Sequence, residues 1–342
     1  MGKRIAVLGT GAIGSSVGAD LTEAGEDVIL VDQWPAHIEA MKAGGLHVRM
    51  PDREVHAQVR AHHLCELAGL NRTFDLVFCA AKSYDTHWLA HFIKPYLSPG
   101  GVFVSLQNSL NEETTVPILG FERVVGSVIE LGGELFEPGR VKRFTTRART
   151  WFAVGELHGR LTPRVSEIAN VLSSVGRCEV TANVWGGKWS KLTVNCMAQA
   201  VAGILGIYDV ELAENGQVLA LCVRLGRECV EVGTALGYRL EPIFGLTAEE
   251  FLASTDDGLK ALLLTLFSHV GREARNSVLQ DHLRGRRSEV ARLNGLVMCK
   301  GQEAGVPTPL NTAVTELSRQ IEERTLTPSL HNMPLLEALF GK

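Results

Sequence analysis

The first 150 residues alternate short apolar, β-branched runs with stretches whose apolar positions recur at helical spacing. "RIAVLG" (4–9), "EDVILVD" (26–32), "FDLVFCAA" (74–81), "GGVFVSLQ" (100–107) and "RVVGSVIEL" (123–131) lack the strict alternation of a half-exposed sheet. Such runs suit strands covered on both faces, with the intervening helices as parallel crossovers, and predict a doubly wound α/β sheet. Beyond about residue 183 the apolar period becomes 3.6. Helices are predicted at 184–204, 209–236, 247–253, 257–271, 286–304 and 311–322, broken at "YRLEPIFG" and "AGVPTPLN". The Gly-rich and β-branched stretches of 132–182 are read as extra strands. A chain of 342 residues exceeds one ordinary core. The expectation is therefore an α/β domain over 1–182 and an all-helical domain over 183–342.

Charge and cysteine usage narrow the function class. The net charge is −4, and the basic residues are scattered except for "RGRR" at Arg284–Arg287, so no nucleic-acid partner is expected. Seven cysteines with no C-x-x-C pair, mostly inside apolar runs, read as buried free thiols in a reducing compartment. No apolar run approaches 18 residues and no apolar signal region follows the basic start, which predicts a cytoplasmic protein without a membrane partner. His62, His63, His87 and His91 show no metal-ligand pattern, and no metal is expected.

The first strand runs into "GTGAIG", where Gly9, Gly11 and Gly14 keep the G-x-G-x-x-G spacing at the start of an amphipathic helix, with Ala12 and Ile13 between them. Gly9 permits a tight turn, Gly11 close approach of a pyrophosphate, and Gly14 close packing of helix on strand. This is the fingerprint of a Rossmann-type dinucleotide site. Asp32 ends the second strand, where a carboxylate accepts hydrogen bonds from ribose hydroxyls and repels a 2′-phosphate. With no Arg immediately following, NAD(H) is favoured over NADP(H). Asp32 could also simply form the "DQWPAH" turn, and Trp34 could stack on adenine or cover the sheet edge. Lys82 and Asn108 follow later strands, and with Asp32 and the glycine loop they would line one crevice at the strands' carboxyl ends.

In "WSKLTVNCMAQ" (189–199), Lys191, Asn195 and Gln199 recur every fourth residue, so a helix stacks an ammonium and two amides along one stripe. "GTGAIG", "AAKSYD", "LQNSLNEE", "KLTVN" and "NSVLQDHLRGRRSEVARLNG" (276–295), in this order, resemble the ketopantoate reductases. Hydride delivery to a keto carbon builds negative charge on oxygen, which an ammonium on this stripe can neutralise and protonate. The resemblance implies an NADPH-binding Rossmann domain and a helical domain closing over a keto acid, within a homodimer. It implies Lys191 as catalytic lysine, Glu289 as the carboxylate beside the substrate hydroxyl, and Asn108, Asn195 and Ser277 as substrate-binding, with Lys82 on the cofactor side. Gln199 is added as a substrate-binding residue.

Three positions depart from the family pattern. Gln199 stands where a shorter asparagine is usual, Ser109 and Asn111 stand in a glycine-rich turn, and Asp32 replaces the basic or neutral residue that goes with NADPH. The expected function is reduction of a 2-keto acid with NAD(P)H, 2-dehydropantoate foremost, with another branched or aromatic 2-keto acid as the alternative. The K-x-x-x-N motif also fits the β-hydroxyacid dehydrogenases. An NAD(P)-sensing binding protein is the non-enzyme alternative, although a sensor needs neither Lys191 nor Glu289.

Overall fold

The computed structural model describes residues 2–245, 247–253, 255–270 and 274–339. The chain forms two compact units, Met1–Val184 and Trp185–Lys342.

The first unit runs β1 (Arg4–Leu8), α1 (Ala12–Glu23), β2 (Asp27–Asp32), α2 (Pro35–Gly44), β3 (Leu46–Arg49), β4 (Glu54–Ala57), β5 (Ala61–His63), β6 (Phe74–Cys79), α3 (Thr86–Ile93), β7 (Leu97–Ser105), α4 (Glu112–Leu119), β8 (Val124–Glu130), β9 (Gly133–Glu137), β10 (Arg140–Arg143), β11 (Trp151–Glu156), α5 (Pro163–Leu172) and β12 (Arg177–Val180). Eight strands form one sheet in the order β12-β11-β8-β7-β6-β1-β2-β5, parallel except for the β11–β8 pair. Both faces of its central strands are covered: Ile5, Val7, Leu30 and Phe78 are as buried as their alternates Ala6, Ile29, Val77 and Phe103. That double burial is why these segments read as continuous apolar runs.

Residues 132–182 supply β9 to β12 and also a helix, α5, which opens with Pro163. Proline suits the first helical turn, where the missing N–H has no partner to lose. Strands β9 and β10 leave the main sheet and join β3 and β4 in a second one, ordered β4-β3-β10-β9. Leu46, Val48, Val55 and Val141 of this sheet share a core with Val17 and Leu21 of α1. Helix α1 is thus packed between the two sheets, and the buried Arg143–Asp20 ion pair (2.6 Å) crosses from β10 to it.

The second unit is helical: α6 (Val184–Leu205, beginning at the end of the first unit), α7 (Gly216–Ala235), α8 (Ala248–Leu252), α9 (Asp257–Val270), α10 (Ser277–Leu283), α11 (Asn294–Ala304), α12 (Pro309–Glu322) and α13 (Met333–Glu337). Two expected helices are interrupted. The stretch 209–236 breaks at Asn215, whose side chain accepts from the N–H groups of Gln217 and Val218 and so starts α7 afresh. The stretch 286–304 is not helical at its start, because the Ser288 N–H and hydroxyl both donate to Glu322. A short 3-10 turn, Val290–Arg292, then precedes α11. Gly271, the last residue of the expected 257–271 helix, lies outside the described residues. Helix α10 was not expected; Asn276 caps it by accepting from the Leu279 N–H at 2.9 Å. The cysteines are not uniformly buried: Cys79, Cys196, Cys222 and Cys229 are, whereas Cys65 and Cys299 are exposed and Cys178 is intermediate. Among the described residues no helix is long and apolar enough to cross a membrane.

Candidate active site

In the first unit, the sheet order sets the carboxyl ends of β7, β6, β1 and β2 side by side. Gly9 leaves β1 with φ +81°, and a Cβ there would lie 2.5 Å from the backbone of Ala81, just past β6. A Cβ on Gly14 would lie 2.0 Å from the Gly9 carbonyl oxygen, so α1 rests directly on the loop. Gly11 differs: a Cβ there meets nothing within 4 Å. The packing of the chain does not require glycine at that position, which is the N-cap of α1 and has no side-chain cap. Open space over uncapped N–H groups at a helix start fits an incoming phosphate. Ala12 and Ile13 form the half-buried first turn beside it.

Asp32 has two tasks. Its carboxylate accepts from the Thr10 N–H in the glycine loop and from the Trp34 N–H at 2.8 Å in the following turn. Both oxygens are engaged with backbone, and each retains a lone pair for a further donor. The loop is also braced through residues that sequence reasoning missed. The Ser15 hydroxyl donates to the Thr10 carbonyl at 2.7 Å, and the buried His37 faces Ser15 at 3.1 Å through Nε2. The Gly139 N–H donates to His37 Nδ1 at 2.9 Å, so Nε2 carries the hydrogen. Burial holds this imidazole below its ordinary pKa, which keeps it neutral and able to accept. Trp34 stacks on His37 with ring centroids 5.4 Å apart.

Lys82 is half-buried and opens the 3-10 turn Ser83–Asp85 after β6. Asn108 follows β7, half-buried, and its side chain makes no hydrogen bond among the described residues. The two loops are tied together. Gln107 Nε2 donates to the Ala81 carbonyl at 2.7 Å, and Asn111 Nδ2 donates to the Asn108 carbonyl at 2.6 Å and to the Ser83 hydroxyl at 3.2 Å. Asn111 is buried and bonds inward. Ser109 adopts φ +73°, the left-handed region that favours glycine, so the backbone path of a glycine turn is kept with a serine in it.

In the second unit, Lys191, Asn195, Gln199 and Gly203 lie one turn apart along α6. A Cβ on Gly203 would come within 2.6 Å of Val278 Cγ1 and 3.1 Å of His282 Nδ1, so the glycine lets α10 lie hard against α6. That approach places Ser277, at the start of α10, beside Gln199. The Ser277 hydroxyl donates to Gln199 Oε1 and Gln199 Nε2 donates to Asn195 Oδ1, each at 3.0 Å. The chain of donors ends at Asn195 Nδ2, which is buried and has no partner among the described residues. A buried donor left without an acceptor costs about 1–3 kcal/mol.

Lys191 is half-buried, with Nζ 4.7 Å from the centroid of the Phe244 ring. Glu289 is buried; it precedes the 3-10 turn in the bridge region (φ −93°, ψ 7°), not in a helical first turn. Its loop is anchored on both sides, by Ser288 to Glu322 and by Asn294 Nδ2 donating to the Cys196 carbonyl on α6 at 3.0 Å. Thus Asn195, Gln199 and Ser277 form one hydrogen-bonded group with Lys191 one turn away, and Glu289 stands on a separate fixed loop. Asp209 was also missed: it accepts from Asn276 Nδ2 beside the cap of α10, and burial pushes its carboxyl up to about 7.

The family described as Ketopantoate reductase PanE/ApbA matches residues 5–156, and its C-terminal counterpart matches residues 183–322. A 2-dehydropantoate 2-reductase of Pyrococcus horikoshii is 29% identical over 309 residues, covering 90% of this chain and 94% of the relative. Among solved structures, a PanE/ApbA family ketopantoate reductase from Ralstonia eutropha JMP134 superposes with a TM-score of 0.78 at 28% identity, covering 94% of this chain and 98% of that one. A D-mandelate dehydrogenase bound to NADH and anilino(oxo)acetate shares the fold with a TM-score of 0.82 at 22% identity, covering 94% and 98%. The two family matches together span most of the chain, and the chain belongs to the ketopantoate reductase family, whose members are NAD(P)-dependent 2-keto acid reductases.

Proposed function

We propose that this enzyme reduces 2-dehydropantoate to pantoate with NADH. The observation that carries the reading is the donor chain Ser277–Gln199–Asn195, ending in a buried unpartnered N–H one turn from the Lys191 ammonium. The carboxylate and keto oxygens of a 2-keto acid offer acceptors to such an arrangement. The open space over Gly11 and the uncapped start of α1 fit the pyrophosphate, and the remaining lone pairs of Asp32 fit the ribose hydroxyls. NADH, when bound, would supply the hydride, and the carbonyl π pair of the keto acid would move onto its oxygen. Lys191 stabilises the developing charge and gives its proton to that oxygen, then regains one from water. Asn195 holds the keto acid by its free N–H, and Glu289 accepts from the new hydroxyl. Ser277 and Gln199 act through Asn195, by orienting its amide. Lys82 serves the cofactor side, and Asn108 is assigned to cofactor and substrate binding. A homodimer belongs to the same reading and is checked by sedimentation.

Initial rates for 2-dehydropantoate and for smaller and larger 2-keto acids, each with NADH and NADPH, test the assignment. The expected ranking places 2-dehydropantoate with NADH first. A higher kcat/KM for another branched or aromatic 2-keto acid replaces the substrate, and a strong preference for NADPH overturns the reading of Asp32. Turnover with none of them, despite tight dinucleotide binding, would identify a sensor. Lys191→Ala is expected to lower kcat by about two orders of magnitude or more, through loss of the proton donor and oxyanion partner; near-normal turnover removes Lys191 from the mechanism.

A further inference from the structure

Three consecutive residues of α6 each engage one short segment, residues 238–244. The Trp189 indole stacks on Tyr238 with ring centroids 4.6 Å apart and planes 16° apart. The Ser190 hydroxyl donates to the Glu241 carbonyl at 2.8 Å and accepts from the Glu241 N–H at 2.9 Å. The Lys191 ammonium lies over the Phe244 ring. Contacts at 238, 241 and 244 thus match 189, 190 and 191 in order. The Trp189 end is locked independently: its Nε1–H donates to the Cys229 carbonyl at 2.9 Å, and a Cβ on Gly233 would lie only 2.1 Å from the indole nitrogen.

Phe244 is an unusual residue for its place. It is buried, yet its φ is +51°, a left-handed conformation that disfavours a bulky side chain and suits glycine or asparagine. Strain of that kind persists where surrounding structure holds it, and here it presents an aromatic face to a cation.

We infer that segment 238–244 positions Lys191, with Phe244 as the positioning residue that holds the ammonium by its ring. The inference rests on the reading of Lys191 as proton donor. The ring's quadrupole attracts the charged amine and accepts no proton from it, so the ammonium is steered without being neutralised.

The test is a series at position 244 in the full-length enzyme, read as kcat, keto-acid KM and Tm. Phenylalanine is replaced by its mono-, di- and trifluorinated forms, which drain the ring's negative face at nearly constant shape. Each added fluorine is expected to lower kcat stepwise, reaching on the order of tenfold for the trifluorinated ring, with KM and Tm nearly constant. Phe244→Leu should match or exceed that loss, and Phe244→Tyr should retain wild-type kcat. Equal kcat across the fluorinated series overturns the inference, as does a Phe244→Leu enzyme with wild-type kcat. Lys191→Ala in the same assay separates the two readings. If it retains turnover, the proton-donor assignment fails; if it is inactive while the fluorinated series is flat, only the role of Phe244 fails.

Discussion

Gly203 sits one turn beyond Gln199 on α6, and its replacement by alanine tests whether the contact with α10 sets the donor chain. The added Cβ would lie 2.6 Å from Val278 Cγ1, against the 3.4 Å at which ordinary contact begins, so a retreat of about 0.8 Å is needed. Val278 is fully buried and β-branched, and it has little rotamer freedom with which to move aside. The displacement therefore falls on α10. Ser277 rides on the first turn of that helix, and its 3.0 Å bond to Gln199 stretches past the roughly 3.5 Å at which such a bond is lost. Overpacking costs about 1–3 kcal/mol, and the better helix propensity of alanine returns about 1 kcal/mol. The net is roughly 1 kcal/mol, about 2–4 °C in Tm for a unit of this size. The larger effect falls on substrate: with Gln199 released, Asn195 loses its fixed orientation and the KM for the keto acid rises on the order of tenfold. The Kd for NADH is unchanged. Initial rates and a thermal melt measure these quantities, and Val278→Ala combined with Gly203→Ala should recover much of the KM by restoring space. A raised Tm with wild-type KM would refute the argument, since helix propensity would then have won and the contact would not hold the chain.

At the start of α1, Gly11→Ala should leave Tm within about 1–2 °C of wild type while weakening dinucleotide binding on the order of tenfold, because the added methyl meets only the space assigned to the pyrophosphate; fluorescence titration with NADH reads this, and undiminished binding would move the phosphate elsewhere. Asp209 ionises near pH 4 when unfolded but near 7 when buried, so the folded state holds the proton more tightly and stability falls as pH rises between those values. Asp209→Asn should flatten that slope, with its Tm relative to wild type higher at about pH 8 than at about pH 5; parallel melting curves at the two pH values would show that the carboxyl does not titrate in this window.

The central strands were legible because each is buried on both faces, and the glycine loop because Gly9 and Gly14 answer a backbone need while Gly11 leaves space over the helix start. The second sheet was not. Its strands are only four or five residues long, carry charged residues such as Arg49, Glu54 and Arg140, and β10 pairs with β3 from some ninety positions away. No local pattern reports such a pairing. The brace under the glycine loop was hidden for a similar reason: His37 and Ser15 look like ordinary helical residues until Gly139 arrives from the second sheet to donate to the imidazole. The sequence allows Asp32 to be either a ribose ligand or a turn former. It forms the turn and clamps the glycine loop with the same carboxylate, which makes it structural whichever cofactor binds.

The α6 stripe shows where spacing stops being informative. A four-residue repeat placed Lys191, Asn195 and Gln199 on one face, but residue type alone suggested three independent ligands. The hydrogen bonds make them unequal. Gln199 uses both ends of its amide within the protein, accepting from Ser277 and donating to Asn195, and Asn195 Nδ2 stays buried without a partner among the described residues. The longer glutamine is what spans this gap. On the proposed function, substrate selection at this face would depend less on what Gln199 touches than on the direction it imposes. A chain that begins at a serine hydroxyl and ends at an N–H presents a donor, and a donor one turn from an ammonium would suit a ligand with two adjacent acceptors, as in the keto and carboxylate oxygens of a 2-keto acid.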